Sequence, residues 1–445
     1  MDQINLRFQH LSIQIFDSLD NQSVLNCMEA NRSWCDFLEE QKFLQIRIIQ
    51  KTAGKFDLVK NSWKEVYRKS NKETIINLRM AVDHFYGQDR DAYYFHQGLT
   101  PLHIAAYSGD LSLYNKIKEK AGNKCPRDKY GRSPHYYAAK SGNLELCAHT
   151  MDESLDKYSE TRVGISPLHA AAAYGHLEVC KLIIENISNK NPKTERGFSV
   201  LHAAAEYGHL DTCKLIMGNI INKNPRCQTG FTPFHWAAGN GNFQVCELFM
   251  KVLDDKNPRS DSGWTPLHVA AEAGHLAVSQ LIMDNLIDRN PRNNDQNTPL
   301  DFAATNEHHA VCKYIIENIS NKNPAKNNGE TLLHEAAFNG FLDVCKIIME
   351  NIKHKNPKDN EGRTPLHEAA FNGKYDVCQL IMENVVDKNP ATKRGRTPLH
   401  EAAMQGHFEI CKYIIRNVKD KNPSDLHGIT PKIIACNDDI QNLFN

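Results

Sequence analysis

The sequence lacks an excess of charge of either sign, and it lacks a long apolar run. Its 53 basic residues balance 53 acidic residues, so no net charge favours nucleic acid or an anionic membrane as a partner. No stretch of 18 apolar residues occurs, and the N-terminus does not show a basic segment followed by an apolar one. We therefore expect a cytoplasmic protein, with the nucleus as an alternative, that binds neither nucleic acid nor membrane.

The signatures of the common enzyme classes are also missing. The sequence contains no phosphate-binding loop, no Gly-x-Ser-x-Gly nucleophile elbow and no His-Glu-x-x-His zinc motif. No two of the 13 cysteines have the Cys-x-x-Cys spacing of common zinc sites. These absences predict a protein that is not an enzyme, with no catalytic residues, no cofactor and no metal site.

What the sequence does contain is a ten-residue stretch, Thr364-Pro-Leu-His-Glu-Ala-Ala-Phe-Asn-Gly373, that recurs every 33 residues without insertion or deletion. This period and the pattern T-P-L-H-x-A-A with a following glycine resemble the ankyrin repeat family. The resemblance implies an all-α solenoid of about eleven units, each a helix-turn-helix followed by a turn or hairpin, over residues 98–445. The copies begin at Thr100, Ser133, Ser166, Ser199, Thr232, Thr265, Thr298, Thr331, Thr364, Thr397 and Thr430.

The residues of one repeat predict its helices. Thr364 is suited to cap a helix whose first residue is Pro365, because proline lacks an N–H that the first helical position would leave unpaired. Gly373 ends this helix by adopting a positive φ. A second helix follows from Lys374 to Asn384. No unit buries its apolar face alone, so the units must stack.

Cysteine and histidine recur in register, and we interpret both columns as structural. Equivalent positions in stacked units are too evenly separated to form a four-ligand cluster, so we expect the cysteines to be small buried side chains in a reducing compartment. We expect the histidines to hydrogen-bond the turns that join repeats. The cysteine column is Cys147, Cys180, Cys213, Cys246, Cys312, Cys345, Cys378 and Cys411. The histidines are His103, His169, His202, His235, His268, His334, His367 and His400 within the motif, and His176, His209, His275, His308 and His407 after the inter-helix glycine or its substitute.

Residues 5–48 contain none of the repeat signature, and their apolar residues have helical spacing. The order Ile15-Phe16-x-x-Leu19, then Val24-Leu25, then Ala30-Asn-Arg-Ser-Trp34 resembles the F-box family. The resemblance implies a small helical module that docks onto a Skp-family adaptor of a cullin complex. The alternative is an incidental helical cap on the repeat array. The implied adaptor contacts are Leu11, Ile15, Phe16, Leu19, Leu25 and Trp34.

Two further segments depart from the repeat pattern. We interpret residues 49–97 as a helical linker and N-terminal cap; the basic residues that dominate from Lys42 to Arg79 fit either a solvated helix face or contact with an acidic partner or membrane. In the repeat that begins at Thr298, Asp301 replaces the histidine and Glu307 replaces the glycine, which predicts either a local change of curvature or a tolerated lapse. The unit after Thr430 is short and polar, as a C-terminal cap requires.

The variable columns of the repeat predict where a partner binds. One column is the residue after the turn glycine, and the others are the two residues after Ala-Ala. Aromatic and arginine side chains dominate interface energetics, so we expect an apolar partner segment over repeats four to six and an acidic one over repeats nine and ten. The alternative is that each ring covers its own turn. The predicted contacts are Tyr174, Phe198, Tyr207, Phe231, Trp264, Phe338, Arg363, Phe371, Arg396 and Met404.

Two functions fit these patterns. In the first, the chain is the substrate-recognition subunit of a cullin-based ubiquitin ligase: the F-box-like module recruits the adaptor and the array holds the target. In the second, the chain is an ankyrin scaffold, or a targeting subunit of a signalling complex, without any role in ubiquitin transfer. The two differ only in what residues 5–48 bind, because both use the array in the same way.

Overall fold

The structure is a computed structural model in which a defined part of the chain is described: Thr74, Asn77 and residues 99–153, 161 and 163–444. The F-box-like module predicted at 5–48 therefore lies outside the described residues. Of the linker predicted at 49–97, only Thr74 and Asn77 are described, and both are helical.

The chain divides into two compact units, which we describe separately. The first comprises residues 1–204 and 211–221, and the second comprises residues 205–210 and 222–445. Within the described residues both units are built from helices without β-strands, and only isolated β-bridges join Lys193 to Ser199 and Ala325 to Thr331. The described residues thus confirm the predicted all-α repeat architecture.

Each repeat supplies a first helix that begins with the motif and a second helix that returns beside it. The helices are α1 (Pro101–Ser108), α2 (Leu111–Lys120), α3 (Pro134–Ser141), α4 (Leu144–Glu153), α5 (Pro167–Ala173), α6 (Leu177–Asn186), α7 (Val200–Glu206), α8 (Leu210–Gly218), α9 (Pro233–Gly239), α10 (Phe243–Val252), α11 (Pro266–Glu272), α12 (Leu276–Asp284), α13 (Pro299–Thr305), α14 (His309–Asn318), α15 (Leu332–Asn339), α16 (Leu342–Asn351), α17 (Pro365–Phe371), α18 (Tyr375–Asn384), α19 (Pro398–Gln405), α20 (Phe408–Asn417), α21 (Pro431–Ile434) and α22 (Asp438–Asn442).

The ninth repeat shows why these residues form these helices. Thr364 is extended, with φ −124° and ψ 163°, and Pro365 is the first residue of α17. Gly373 has φ +69°, and a Cβ added there would lie 2.6 Å from the ring of His407. Both the conformation and the close approach therefore require glycine at this inter-helix turn. The observed helix starts agree with the predicted ones to within one residue.

The segment after the second helix contains side-chain hydrogen bonds that the sequence analysis did not anticipate. In the eighth repeat Lys355 Nζ donates to the carbonyl of Met349 in the last turn of α16, which caps that helix with a positive charge. The next residue, Asn356, accepts a hydrogen bond from Leu366 N at 3.2 Å and so fixes the start of α17. Equivalent lysine caps come from Lys190, Lys256 and Lys322.

The core of each repeat is small and dense. In the ninth repeat Leu366, Ala369 and Ala370 on α17 are fully buried, as are Cys378 and Ile381 on α18. Paired alanines leave room for neighbouring first helices to approach closely, and the larger side chains of the second helices fill the remaining space. Burial of one leucine or isoleucine side chain contributes about 1.5–3 kcal/mol, so stacking supplies most of the stability of the array.

Seven motif histidines each link their own repeat to the next one. Thr364 N lies 3.0 Å from His367 Nδ1, the Thr364 hydroxyl lies 2.9 Å from the same nitrogen, and His367 Nε2 lies 3.2 Å from the carbonyl of Arg396. Because the backbone amide donates to Nδ1 and the carbonyl accepts from Nε2, the imidazole is neutral and carries its proton on Nε2. The same three contacts are formed by His103, His169, His235, His268, His334 and His400.

The seventh repeat, in the second unit, lacks the hydrogen bond that a motif histidine donates to the next repeat. Asp301 stands in place of the histidine; its carboxylate accepts from Thr298 N at 2.6 Å, but it has no proton to donate to the next turn. Phe341 stands where His308 and His407 hydrogen-bond a carbonyl of the preceding repeat. The junction between repeats seven and eight therefore lacks both side-chain hydrogen bonds that histidine supplies at other junctions.

Helix packing changes at the same junction. The first helix α13 packs against α15 less extensively than α11 packs against α13, whereas the second helices α14 and α16 pack more closely than α12 and α14. The stack is thus opened on its first-helix side and closed on its second-helix side. Of the two alternatives predicted for this repeat, this geometry favours the local change of curvature.

We predict that Glu307→Gly stabilises the protein. Glu307 has φ +56° in the place of the usual glycine. A non-glycine residue in this conformation costs about 1–2 kcal/mol of strain, which glycine would relieve. Part of this gain is lost because glycine has more conformational freedom in the unfolded chain. The free energy of unfolding should rise by about 1 kcal/mol, measured from the urea midpoint. Glu307→Gln is the matched control, because it removes the charge and keeps the strained backbone. An equal shift in both variants would refute the role of backbone strain.

Candidate protein-binding surface

The predicted contact residues lie on the turns and first helices, and they differ in exposure. Tyr207 is 59% exposed, whereas Tyr174 and Phe338 are each 44% exposed. The other seven are half-buried: Phe198, Phe231, Trp264, Arg363, Phe371, Arg396 and Met404. The predicted adaptor contacts, Leu11, Ile15, Phe16, Leu19, Leu25 and Trp34, lie outside the described residues.

Each turn ring lies against a motif histidine. The ring centroids of Phe231 and His235 are 5.0 Å apart, and those of Trp264 and His268 are 5.9 Å apart. In the first unit Phe198 lies 5.0 Å from His202. These rings shield the hydrogen-bonded imidazoles and keep part of their surface exposed, so covering the turn and offering a binding surface are compatible roles.

A column that the sequence analysis did not examine completes this surface in the second unit. The residue after the motif histidine is Trp236 on α9, Val269 on α11 and Phe302 in the seventh repeat, and these side chains are half-buried. Trp264 lies 4.2 Å from Phe302 between ring centroids. The same period of 33 residues identifies this column in the sequence. We call Phe231, Trp236, Trp264 and Phe302 the aromatic patch.

The same column becomes acidic in the next three repeats. Glu335, Glu368 and Glu401 lie on α15, α17 and α19. Arg363 is ion-paired with two of them, with N···O distances of 2.6 Å to Glu368 and 3.2 Å to Glu401. Arg396 is paired with Asp425 at 3.8 Å. The charges of the two arginines predicted to hold an acidic partner are therefore already compensated within the protein.

In the first unit, a lysine lies between two aromatic rings. Lys140 is only 5% exposed, and its Nζ lies 5.9 Å from the Tyr107 ring centroid and 5.1 Å from that of Tyr174. The Tyr174 ring also stacks on His176, which hydrogen-bonds the carbonyl of Lys140 at 2.9 Å. The cation–π contacts and this hydrogen bond fix the orientation of Tyr174.

The buried titratable groups of the array have pKa values that suit structural roles. Burial lowers the pKa of His103, His169, His235 and His268 to about 4 and that of His367 to about 3, because the charged imidazolium would lose its hydration. Burial likewise raises the pKa of the column cysteines, with that of Cys147, Cys180, Cys213, Cys312, Cys345 and Cys411 reaching about 12. A thiol in this state is a poor nucleophile and a poor metal ligand.

Two general features complete the description. Among the described residues, no group of three or more histidine, cysteine, aspartate or glutamate side chains is arranged to hold a metal ion. No helix in the described part of the chain is long and apolar enough to cross a membrane.

Stacked two-helix repeats that display variable side chains on turns and first helices define a helical-repeat scaffold for binding proteins. A family model described as "Ankyrin repeats (3 copies)" matches this chain in overlapping segments, at residues 146–227, 168–260, 201–293, 234–326, 277–359, 300–392 and 384–444. These segments cover more than half of the chain, which therefore belongs to the ankyrin-repeat family. Its members are typically non-enzymatic scaffolds that bind protein targets. A search of curated proteins found no match.

We predict that acidification destabilises the array steeply. The motif histidines titrate near pH 6.5 when unfolded and near pH 4 when folded. The unfolded chain therefore binds more protons, and the free energy of unfolding falls as the pH drops from about 6.5 to about 4. Each histidine should contribute on the order of 1 kcal/mol per pH unit in this window, measured from urea midpoints. In His367→Gln, which keeps a donor and an acceptor, the slope of the free energy of unfolding against pH should be smaller by the contribution of one histidine. An unchanged slope would show that His367 is not a buried neutral histidine.

We also predict that the exposed and the fully buried thiols of the described residues differ in reactivity, with Cys227 intermediate in exposure between them. Cys125 and Cys436 are exposed, whereas the eight column cysteines are fully buried. Under native conditions iodoacetamide should modify Cys125 and Cys436 and spare the column, and in urea it should modify all of them, as read by peptide mass spectrometry. Rapid native labelling of any column cysteine would show that its repeat opens or that the column is misplaced.

Proposed function

We propose that the chain is a non-catalytic subunit that binds a protein target through its ankyrin array. The observation that carries this proposal is the set of partly exposed rings at equivalent turn and first-helix positions, including Phe231, Trp264 and Phe338. Exposed apolar groups repeated along one face mark interaction sites. The ion pairs, rings and helix ties of the repeats hold these side chains on a rigid framework.

We further propose that the chain is the substrate-recognition subunit of a cullin-based ubiquitin ligase in the cytoplasm. The support is the spacing of residues 15–34, which is similar to that of the F-box family. In this function Leu11, Ile15 and Phe16 dock onto a Skp-family adaptor, and the array holds the target close to the conjugating enzyme. Catalysis then comes from the raised effective concentration of the target.

The alternative is an ankyrin scaffold, or a targeting subunit of a signalling complex, without a role in ubiquitin transfer. The family match is equally compatible with it, because the matched segments, from residue 146 to residue 444, belong to the array that both functions use. Target binding by the array is common to both functions. Only the adaptor contact separates them.

The test is co-purification of the full chain with a Skp-family adaptor. We expect a stoichiometric complex that is lost when Leu11, Ile15 and Phe16 are replaced by alanine, because these side chains form the docking surface in the F-box resemblance. The array variant Phe198→Ala/Phe231→Ala/Trp264→Ala is the matched control: it should keep the adaptor and lose the target. Absence of a complex, under conditions in which a known F-box protein binds, would leave the scaffold function.

A further inference from the structure

A cleft of about 310 Å³ opens in the second unit between repeats eight and nine. Its walls include Glu330 from the turn before the eighth repeat, Glu335 and Phe338 on α15, and Glu368 on α17. The cleft is much larger than the roughly 30 Å³ that one water molecule occupies in the liquid, so it has room for a side chain. Phe338 provides an aromatic wall that is 44% exposed.

One wall of the cleft, α15, also belongs to the junction between repeats seven and eight, where the histidine hydrogen bonds are missing. Asp301 does not bridge to the next turn as the motif histidines do, and Phe341 does not bridge back to the preceding repeat. Because α13 packs loosely against α15, the first-helix side of the junction is left open.

The charges that line the cleft are unevenly compensated. Lys326 pairs with Glu335 at 3.0 Å, and Arg363 pairs with Glu368 at 2.6 Å. Glu330 is half-buried and has no ion pair among the described residues. A carboxylate in this position is stabilised by a cation from outside the protein.

A comparison of equivalent positions supports the need for such a cation. A turn residue meets the first helix of the next repeat at a sequence separation of 38: Trp264 stacks on Phe302, and Arg363 pairs with Glu401. At the same separation, Glu330 is matched with Glu368, so two carboxylates occupy positions that hold attractive pairs in these two other repeats. A guanidinium or ammonium group between them would replace repulsion by attraction.

The aromatic patch extends to α13, the first helix that precedes α15 in the stack. Phe302 follows Asp301 on α13, whose neighbour α15 forms one wall of the cleft, and Phe302 contacts Trp264 on the side of the preceding repeat. An extended chain that crosses these first helices therefore meets an apolar surface first and an acidic cleft next. Aromatic anchors supply binding energy, and charge complementarity supplies register and specificity.

We propose that this surface binds an extended segment of the protein target that carries an apolar side chain followed by a lysine or arginine. The apolar side chain packs on Trp264 and Phe302, and the cation lies between Glu330 and Glu368 over the Phe338 ring. This inference rests on the proposed role of the array in holding a target, and it names the chemistry of the target. The sign of the partner charge is opposite to that expected from Arg363 and Arg396 alone.

The experiment is a selection of displayed random dodecapeptides on the full-length protein, followed by fluorescence anisotropy with the selected peptides. We expect enrichment of sequences with an aromatic or large aliphatic residue followed by lysine or arginine. Glu330→Lys should weaken these peptides at least tenfold and more strongly at low salt, because it places a cation where the ligand cation binds. Glu350→Lys, on the exposed end of α16, is the matched control and should leave the affinity unchanged.

The outcomes distinguish this inference from the proposed function. Acidic or purely apolar binders, no binders, or binders that tolerate Glu330→Lys as well as Glu350→Lys would overturn the inference. The proposed ligase function fails separately, if the full chain forms no complex with a Skp-family adaptor while the selected peptides still bind and Glu330→Lys still weakens them. Sedimentation of the two charge variants tests a second copy of the chain as occupant: a dimer that only Glu330→Lys dissociates would also overturn the inference.

Discussion

The neutral histidine of the repeat motif is the contact on which the rest of the array depends. One imidazole accepts at Nδ1 from the backbone that starts its own helix and donates at Nε2 to the turn of the next repeat. In the ninth repeat these contacts measure 3.0 Å to Thr364 N and 3.2 Å to the carbonyl of Arg396. Burial contributes more free energy than these hydrogen bonds, each of which contributes about 1 kcal/mol. Burial is not directional, however, and the hydrogen bonds set the register in which one repeat meets the next.

Much of this scaffold follows from the sequence because its causes are local. The helix start at Thr364-Pro365, the glycine turn at Gly373 and the buried cysteine at Cys378 are each determined by residues of one repeat and by its period. The pairing of Arg363 is different, because Glu401 lies 38 residues away and only the stacked structure brings it within 3.2 Å. The sequence therefore predicted that Arg363 stands in a variable column. It did not predict that the charge of Arg363 is neutralised by a glutamate of the next repeat.

The candidate surface was predictable to a lesser degree. Phe231 and Trp264 were found because aromatic residues recur in one column, but Trp236 and Phe302 stand in a column where alanine, valine and glutamate also occur. Their relation became evident only when Trp264 and Phe302 were seen 4.2 Å apart. The loss of ties at Asp301 was visible in the sequence, whereas the resulting opening of α13 from α15 depends on how whole helices pack. The adaptor residues predicted at 5–48 lie outside the described part and stay predictions.

The seventh repeat shows how one departure from the repeat pattern joins stability to binding. Asp301 and Glu307 each weaken a local interaction, and the junction that they loosen lies between the aromatic patch and the cleft. A ligand that binds only the folded state stabilises it in proportion to the logarithm of its concentration over its dissociation constant. Because stability in a repeat array is a sum over neighbouring contacts, a segment that contacts both Phe302 and Glu330 supplies an interaction across the junction where both histidine hydrogen bonds are missing. Target binding therefore adds cohesion on the first-helix side of this junction, where α13 packs against α15 less extensively than α11 packs against α13.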